Sequence, residues 1–297
     1  MCLIAFAIQP APGVALLLAA NRDEALDRPT LPLHHWVTPQ GTPVVGGRDQ
    51  RDGGTWLAAT GPGALHARVA MLTNVRHGRD TTRWPLSRGE LPLAWLDGMP
   101  LDAFALHIDP TAYGAFNLVV GDLTTGQWHW LTNRNAQHQP ALHCQTLQPG
   151  VYGLSNAALD TPWPKTVALR TALQNALPGW VDQSPASAPQ RAQAEQALWA
   201  TLANSDIWPD DVLPQTGVPL DWERTLSAIW VNRPGHLSGE PGSDATAGYG
   251  TRTSALMSVS HVRGKAPVAA EAWECRLQEH TWRPQGQHGR RVLEWVV

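Results

Sequence analysis

Two apolar runs open the chain, CLIAFAI at residues 2–8 and VALLLAA at 14–20, with Gln9-Pro10-Ala11-Pro12-Gly13 between them. Runs of strand length split by a Pro/Gly cluster predict a β-hairpin. With the turn centred between Ala11 and Pro12, antiparallel pairing sets position 2 opposite position 21, within a residue or two of register. The pattern recurs where 55–59 and 67–74 flank Thr60-Gly61-Pro62-Gly63, and where 116–121 and 127–131 flank residues 122–126. Helices are expected at 87–97, 162–177, 189–203 and 221–230. Ser87 with Glu90 three residues on has capping-box spacing, and Thr161 before Pro162 reads as a cap followed by a first-turn proline. Gln183 to Pro189 reads as a linker and Pro234 to Gly248 as a long Gly-rich loop.

The last third returns to strands. Residues 253–260 precede a turn at Arg263-Gly264-Lys265, and 272–278 alternate apolar Ala, Trp, Cys and Leu with charged residues. That alternation points Trp273 and Cys275 inward. Cys144, in another alternating segment, reads as structural. Strands, then helices, then strands predict an α+β protein in one domain spanning residues 1–297.

Composition adds exclusions. The chain of 297 residues is 43% hydrophobic and 16% charged, enough for a sizeable core and against disorder. A net charge of −3 gives no electrostatic reason to expect nucleic acid. Fifteen Trp stand against three Phe and three Tyr, so tryptophan supplies core, rim and any apolar pocket wall. Cys2, Cys144 and Cys275 make neither a disulfide framework nor a CxxC pair, which suits a reducing compartment. No basic stretch precedes the first apolar run, Pro10, Pro12 and Gly13 break it, and no segment reaches the roughly 18 apolar residues of a membrane span. The expectation is a soluble cytoplasmic protein.

Twelve histidines lack zinc spacing, the adjacent His34 and His35 would face opposite ways on a strand, and GxSxG and GxxxxGK[ST] are absent. Neither a metal nor a cofactor is expected. Arg76, Arg79, Arg83 and Arg88 cluster around His77, either as a solvated loop or as an anion-binding rim for a carboxylate or phosphate.

Candidate chemistry begins at Cys2. Removal of Met1 would leave one residue with a thiol nucleophile and an α-amine of pKa roughly 7.7–8.0 as its base. The hairpin brings the thiol toward Asn21-Arg22-Asp23-Glu24, where a guanidinium would stabilise a thiolate and a carboxylate could hold the amine.

MCLIAFA, then AANRDE and Arg28-Pro29, resembles the start of the NRDE family, also called the Transport and Golgi organization protein 2 family. The resemblance continues through Gly53-Gly54-Thr55-Trp56-Leu57, Leu72-Thr73-Asn74, Phe116-Asn117-Leu118, Thr132-Asn133-Arg134, Tyr152-Gly153-Leu154-Ser155-Asn156, Thr161-Pro162-Trp163 and Tyr249-Gly250-Thr251-Arg252-Thr253. It implies a four-layer αββα sandwich of the N-terminal nucleophile hydrolase type, with two antiparallel sheets. It extends to bile-salt hydrolases and penicillin V acylases. By motif, Arg22 and Asp23 look like their second-strand Arg and Asp, Asn74 and Asn156 like their oxyanion residues, and Arg252 like their later Arg. In those acylases two residues separate the Arg from the Asp, whereas Arg22 and Asp23 are adjacent and on a regular strand face opposite ways. A bulge, or a role for Asn21 or Glu24, would resolve this.

Two functions follow as expectations. One is an amidohydrolase or thioesterase acting through Cys2 on a small-molecule acyl substrate. The other is a haem or acyl-lipid carrier on the same fold.

Overall fold

The first hairpin forms where the apolar runs place it, in longer strands. In a computed structural model describing residues 2–78, 82–181, 187–233, 248–262, 272–283 and 286–297, β1 (Cys2–Ala11) and β2 (Val14–Ala25) turn at Pro12-Gly13. The turn centres between Pro12 and Gly13, which alone would set Cys2 opposite Asp23, and a register shift between Ile8 and Ala11 takes one position back, so Cys2 lies opposite Arg22 and Leu3 opposite Asn21, one position from the expected pairing. Alternation then divides the hairpin. Cys2, Ile4, Phe6 and Ile8 face one core, while Leu3, Ala5 and Ala7 face another.

Further strands are β3 (Thr30–Val37), β4 (Pro43–Asp49), β5 (Leu57–Thr60), β6 (Arg68–Asn74), β7 (Phe116–Asp122), β8 (Gln127–Arg134), β9 (Pro140–Leu147) and β10 (Gly150–Leu154). The chain closes with β11 (Asn232–Arg233), β12 (Tyr249–His261), β13 (Trp273–Arg283) and β14 (Gly286–Val296). Among the described residues they form two antiparallel sheets of seven strands. One runs β10-β1-β2-β12-β13-β14 with β11 on β12, and the other runs β3 to β9 in chain order. Cys275 and Trp273 are buried between the sheets as the alternation requires, whereas Cys144 is exposed on β9.

Helices are α1 (Glu90–Leu96), α2 (Leu101–His107), α3 (Pro164–Ala176), α4 (Pro178–Val181), α5 (Ala188–Leu202) and α6 (Leu220–Ser227). α1 and α2 bury Leu91, Trp95, Leu96 and Phe104 on the outer face of the second sheet. On the outer face of the first sheet, α3 and α5 bury Leu169, Leu173, Leu198 and Leu202. Helix, sheet, sheet, helix is the layer order. Phe6 stacks on Tyr152 at 5.3 Å in the central layer, where truncation of such a ring to Ala costs about 3–5 kcal/mol.

Two expected caps do not form. α1 starts after Gly89 without a side-chain cap, because Ser87 Oγ donates to Asp52 and Glu90 accepts the Tyr113 hydroxyl at 2.7 Å. α3 starts after Trp163 with Pro164 as its first-turn proline, and Thr161 Oγ1 donates to the Ala158 carbonyl instead. Most of the linker, residues 234–247 of the Gly-rich loop and the Arg263-Gly264-Lys265 turn lie outside the described residues. No helix among the described residues is long and apolar enough to cross a membrane.

Candidate functional site

A cavity of about 1030 Å³ opens where the first hairpin ends, lined by Cys2, Arg22 and Glu24 from the first sheet and by Trp56, Leu72 and Asn74 from the second. Segment 82–89 and Gly114 complete its wall. That segment is held by a close backbone approach: a Cβ at Gly54 would meet the Gly89 carbonyl at 2.4 Å, and Thr55 N–H donates to that carbonyl at 2.9 Å. Gly53-Gly54-Thr55-Trp56 is therefore a seat for the wall, with Thr55 Oγ1 bonded to the Gly47 carbonyl at 2.7 Å.

Cys2 is 5% exposed and shares the inter-sheet face with its register partner Arg22. Burial pushes the thiol up to about 11, against the pull of the Arg22 guanidinium. Arg22 Nη2 reaches Glu24 at 3.4 Å and Asp49 at 3.5 Å, and its buried Nη1 has no hydrogen-bond partner among the described residues. Burial raises the Glu24 carboxyl, but Arg22 and Arg28 outweigh it and hold the group at about 2. Arg28 is bound in turn to Asp49 at 2.5 Å and Asp52 at 2.6 Å. At the rim, Arg51 and Arg83 are exposed.

The other face of β2 has a different inventory. Asn21 is fully buried and donates to the carbonyls of Leu202 and Ile229 at 2.9 and 2.8 Å, pinning the end of α5. Asp23 Oδ1 accepts from Thr251 Oγ1 at 2.7 Å, and its carbonyl accepts the Tyr249 hydroxyl at 2.9 Å. Strand alternation thus separates Arg22 from Asp23. The irregularity lies on the neighbouring strand: Thr251 pairs Asp23 and Thr253 pairs Arg22, leaving Arg252 as the extra residue of a bulge. Asp23 is the β2 residue one step past the partner of Cys2, and it too lines the cavity.

The remaining expected residues divide in the same way. Asn74 lines the cavity. Asn156 is fully buried, donates from Nδ2 to the Asn74 carbonyl at 2.9 Å, and accepts at its own carbonyl from Arg76 N–H at 2.7 Å. Ser155 Oγ donates to the Cys2 carbonyl at 3.3 Å, so Tyr152-Gly153-Leu154-Ser155-Asn156 braces both Cys2 and Asn74. Arg252 Nη1 donates to the carbonyls of Ala25 and Arg28 at 2.9 and 3.0 Å, holding the chain that carries Arg28. In the basic stretch, Arg83 and Arg88 line the cavity and Arg79 lies outside the described residues. Arg76 is buried, ion-paired to Glu223 at 2.8 Å.

Sequence reasoning missed Lys165. It is 3% exposed on α3, donates from Nζ to the Leu226 carbonyl at 2.7 Å, and interacts electrostatically with Asp23. Its only signal was proximity to Thr161-Pro162-Trp163. Among the described residues no group of three or more His, Cys, Asp or Glu could hold a metal.

The family model for Transport and Golgi organisation 2 matches residues 1–271. The chain is 34% identical over 178 residues to the cattle Transport and Golgi organization protein 2 homolog and 33% identical over 177 residues to the human homolog, each match covering 56% of this chain and 60% of the relative. Those two alignments therefore span less than two thirds of the relatives' length. The fruit-fly Transport and Golgi organization protein 2 is 27% identical over 272 residues, or 87% of this chain and 88% of the fly protein. The chain belongs to the Transport and Golgi organisation 2 family.

Proposed function

We propose that this family member is an N-terminal cysteine amidohydrolase or thioesterase acting in a reducing compartment. The observation that carries the reading is the Cys2 thiol lining a cavity of about 1030 Å³, in register with Arg22. With Met1 in place the burial-raised thiol is a poor nucleophile. Removal of Met1 frees the Cys2 nitrogen as an amine, with Asp23, one register step past Arg22, as its carboxylate partner. The amine takes the thiol proton, and the thiolate attacks the acyl carbonyl. Negative charge on the carbonyl oxygen is met by the Asn74 amide, and the fully buried Asn156 steadies Asn74 by its hydrogen bond to the Asn74 carbonyl. The tetrahedral species collapses to the Cys2 acyl thioester as its C–N or C–S bond to the leaving group breaks, and the leaving amine or thiol takes the proton from the α-ammonium. Water then hydrolyses the Cys2 acyl thioester. Arg22 steadies the thiolate, Arg252 keeps the adjoining chain in place, and Arg51 and Arg83 give the rim positive charge for a substrate anion.

Trp56, Trp84 and Leu72 form an apolar wall, and on that wall rests the second reading, a haem or acyl-lipid carrier. One experiment separates the two. Protein lacking Met1 is incubated with acyl amides, lactams and acyl thioesters and weighed intact. A hydrolase gains an acyl mass on Cys2 and loses both adduct and turnover in Cys2→Ala while still binding ligand. Equal haem or lipid binding by wild type and Cys2→Ala, with no adduct from any substrate, overturns the hydrolase.

A further inference from the structure

We propose that Arg28 is a positioning residue that keeps the Arg22 guanidinium available to the Cys2 thiolate. It does so by engaging the Asp49 carboxylate, which would otherwise pair tightly with Arg22. This deepens the hydrolase reading and rests on it.

Arg22 is 6% exposed, yet its contacts are sparse for a buried guanidinium. Nη2 reaches Glu24 at 3.4 Å and Asp49 at 3.5 Å, both at the long limit of a hydrogen bond. Nη1 has no hydrogen-bond partner among the described residues. Both carboxylates are committed elsewhere. Glu24 Oε1 accepts the Ala25 N–H at 3.0 Å. Asp49 Oδ1 accepts the N–H groups of Arg51 and Asp52 at 2.9 and 3.2 Å, and Oδ2 accepts from Arg28 Nε at 2.5 Å. A carboxylate offers about four lone-pair sites, so three good donors leave Arg22 the fourth and longest. From the neighbouring strands, Arg252 of β12 and Glu279 of β13 also interact electrostatically with Arg22, and neither bonds to it among the described residues.

Arg28 is fixed from both its backbone and its side chain. Its N–H donates to the Ala25 carbonyl at 3.1 Å, and its own carbonyl accepts Arg252 Nη1 at 3.0 Å. The guanidinium forks across two carboxylates, Nε to Asp49 and Nη2 to Asp52 at 2.6 Å. The β12 bulge that presents Arg252 therefore acts on the site through Arg28. Without the Arg28 side chain, Asp49 Oδ2 loses its shortest donor. Arg22 is then its remaining side-chain donor, and a half-buried carboxylate facing a buried guanidinium closes into a short, charge-assisted pair. The positive charge that Arg22 lends to the thiolate is then compensated by Asp49. Arg28 bonds to neither Cys2 nor Arg22, so its effect passes through Asp49.

The test is the rate of Cys2 alkylation against pH, in protein lacking Met1, with iodoacetamide as a neutral reagent that rim charge does not steer. Arg28→Ala is expected to slow alkylation at pH 7 about fivefold and move the midpoint of the profile up by about 0.7 unit. Removing the carboxylate that Arg28 holds should undo the loss, so Arg28→Ala with Asp49→Asn is expected within about twofold of wild type. Arg28→Ala added to Arg22→Ala should slow the reaction no further than Arg22→Ala alone. If Arg28→Ala leaves the profile in place, if Asp49→Asn does not rescue it, or if the Arg22 and Arg28 factors multiply, the role of Arg28 is overturned while the hydrolase reading stands. If Arg22→Ala itself has no effect, the hydrolase reading loses its thiolate partner and this inference falls with it. Should Arg28→Ala not fold, Arg28→Lys decides. Lysine keeps the charge but not the fork, and it is expected to slow alkylation about threefold. A wild-type rate in Arg28→Lys ends the proposal.

Discussion

Cys2 and Cys275 are buried in the same inter-sheet layer, and burial raises both thiols, to about 11 and about 12. Their neighbourhoods differ in kind. Cys275 pairs with Val259 on one side and Trp295 on the other, among apolar side chains. Cys2 pairs with Arg22 and borders a cavity. Burial alone makes a cysteine inert; what makes one a candidate nucleophile is burial interrupted by a charge and a way in.

The sharpest way to break the comparison is labelling. With limiting iodoacetamide on protein lacking Met1, Cys2 is expected to react faster than Cys275 by more than about 10³, because Cys275 is reached only when the fold opens. Peptide mass mapping gives the ratio, with exposed Cys144 as the internal standard. Comparable rates would erase the distinction. Next in size, Asn74→Ala should lower turnover by about 10²–10³ with little change in stability. Asn156→Ala removes the donor to the Asn74 carbonyl and should also cost about 1–3 kcal/mol in a urea melt.

Glu279 tests the border between the two regions. It lies four residues beyond Cys275 on β13 and accepts Leu33 N–H at 2.9 Å; burial raises its carboxyl to about 7, against that hydrogen bond, Arg291 and Arg22. The unfolded carboxyl titrates near 4.3, so between those values the native state holds a proton that the unfolded state has released. Stability from this group is therefore present below about pH 4 and is lost as pH rises through 7, on the order of 3 kcal/mol in all. Glu279→Gln should flatten that slope in urea melts at pH 5 and pH 8. Arg22→Ala is expected to slow Cys2 alkylation about tenfold at pH 7 and leave Cys275 unchanged. The smallest effect belongs to Cys275→Ala: about 1 kcal/mol of stability and no change in Cys2 labelling.

The parts legible in the sequence are those whose pattern is local. β1 and β2 are apolar runs around a Pro/Gly turn, and Trp273 and Cys275 alternate cleanly with charged neighbours. The sequence reading did not reach β3, β4 or β14, and it met β9 only as an alternating segment around Cys144. β14 exposes most of its residues, so its text lacks the apolar alternation that marks a half-buried strand. The helix starts at 87 and 161 were misplaced because their hydroxyls found tertiary or turn partners. In the candidate site, Cys2 and Arg22 were readable as a pair because one hairpin carries both. Opposed faces for Arg22 and Asp23 followed from strand alternation, whereas the bulge at Arg252 depends on a strand far away in the chain. Lys165 was invisible for a related reason: lysine is mostly a surface residue, and its burial comes from α3, α6 and β2 meeting.

The hydrogen bond between Asp23 and Thr251 joins residues 228 positions apart, and β2 pairs with β12 along most of its length. Contacts of such separation form slowly, because a long loop must close before any contact rewards the closure. The first hairpin can form as soon as residues 2–25 are free, yet its Asp23 carboxylate has no Thr251 until the last third of the chain docks. During folding, then, Cys2 is an ordinary thiol on a half-sheet. Only the closing of the first sheet completes its surroundings, so assembly of the fold itself times the onset of reactivity.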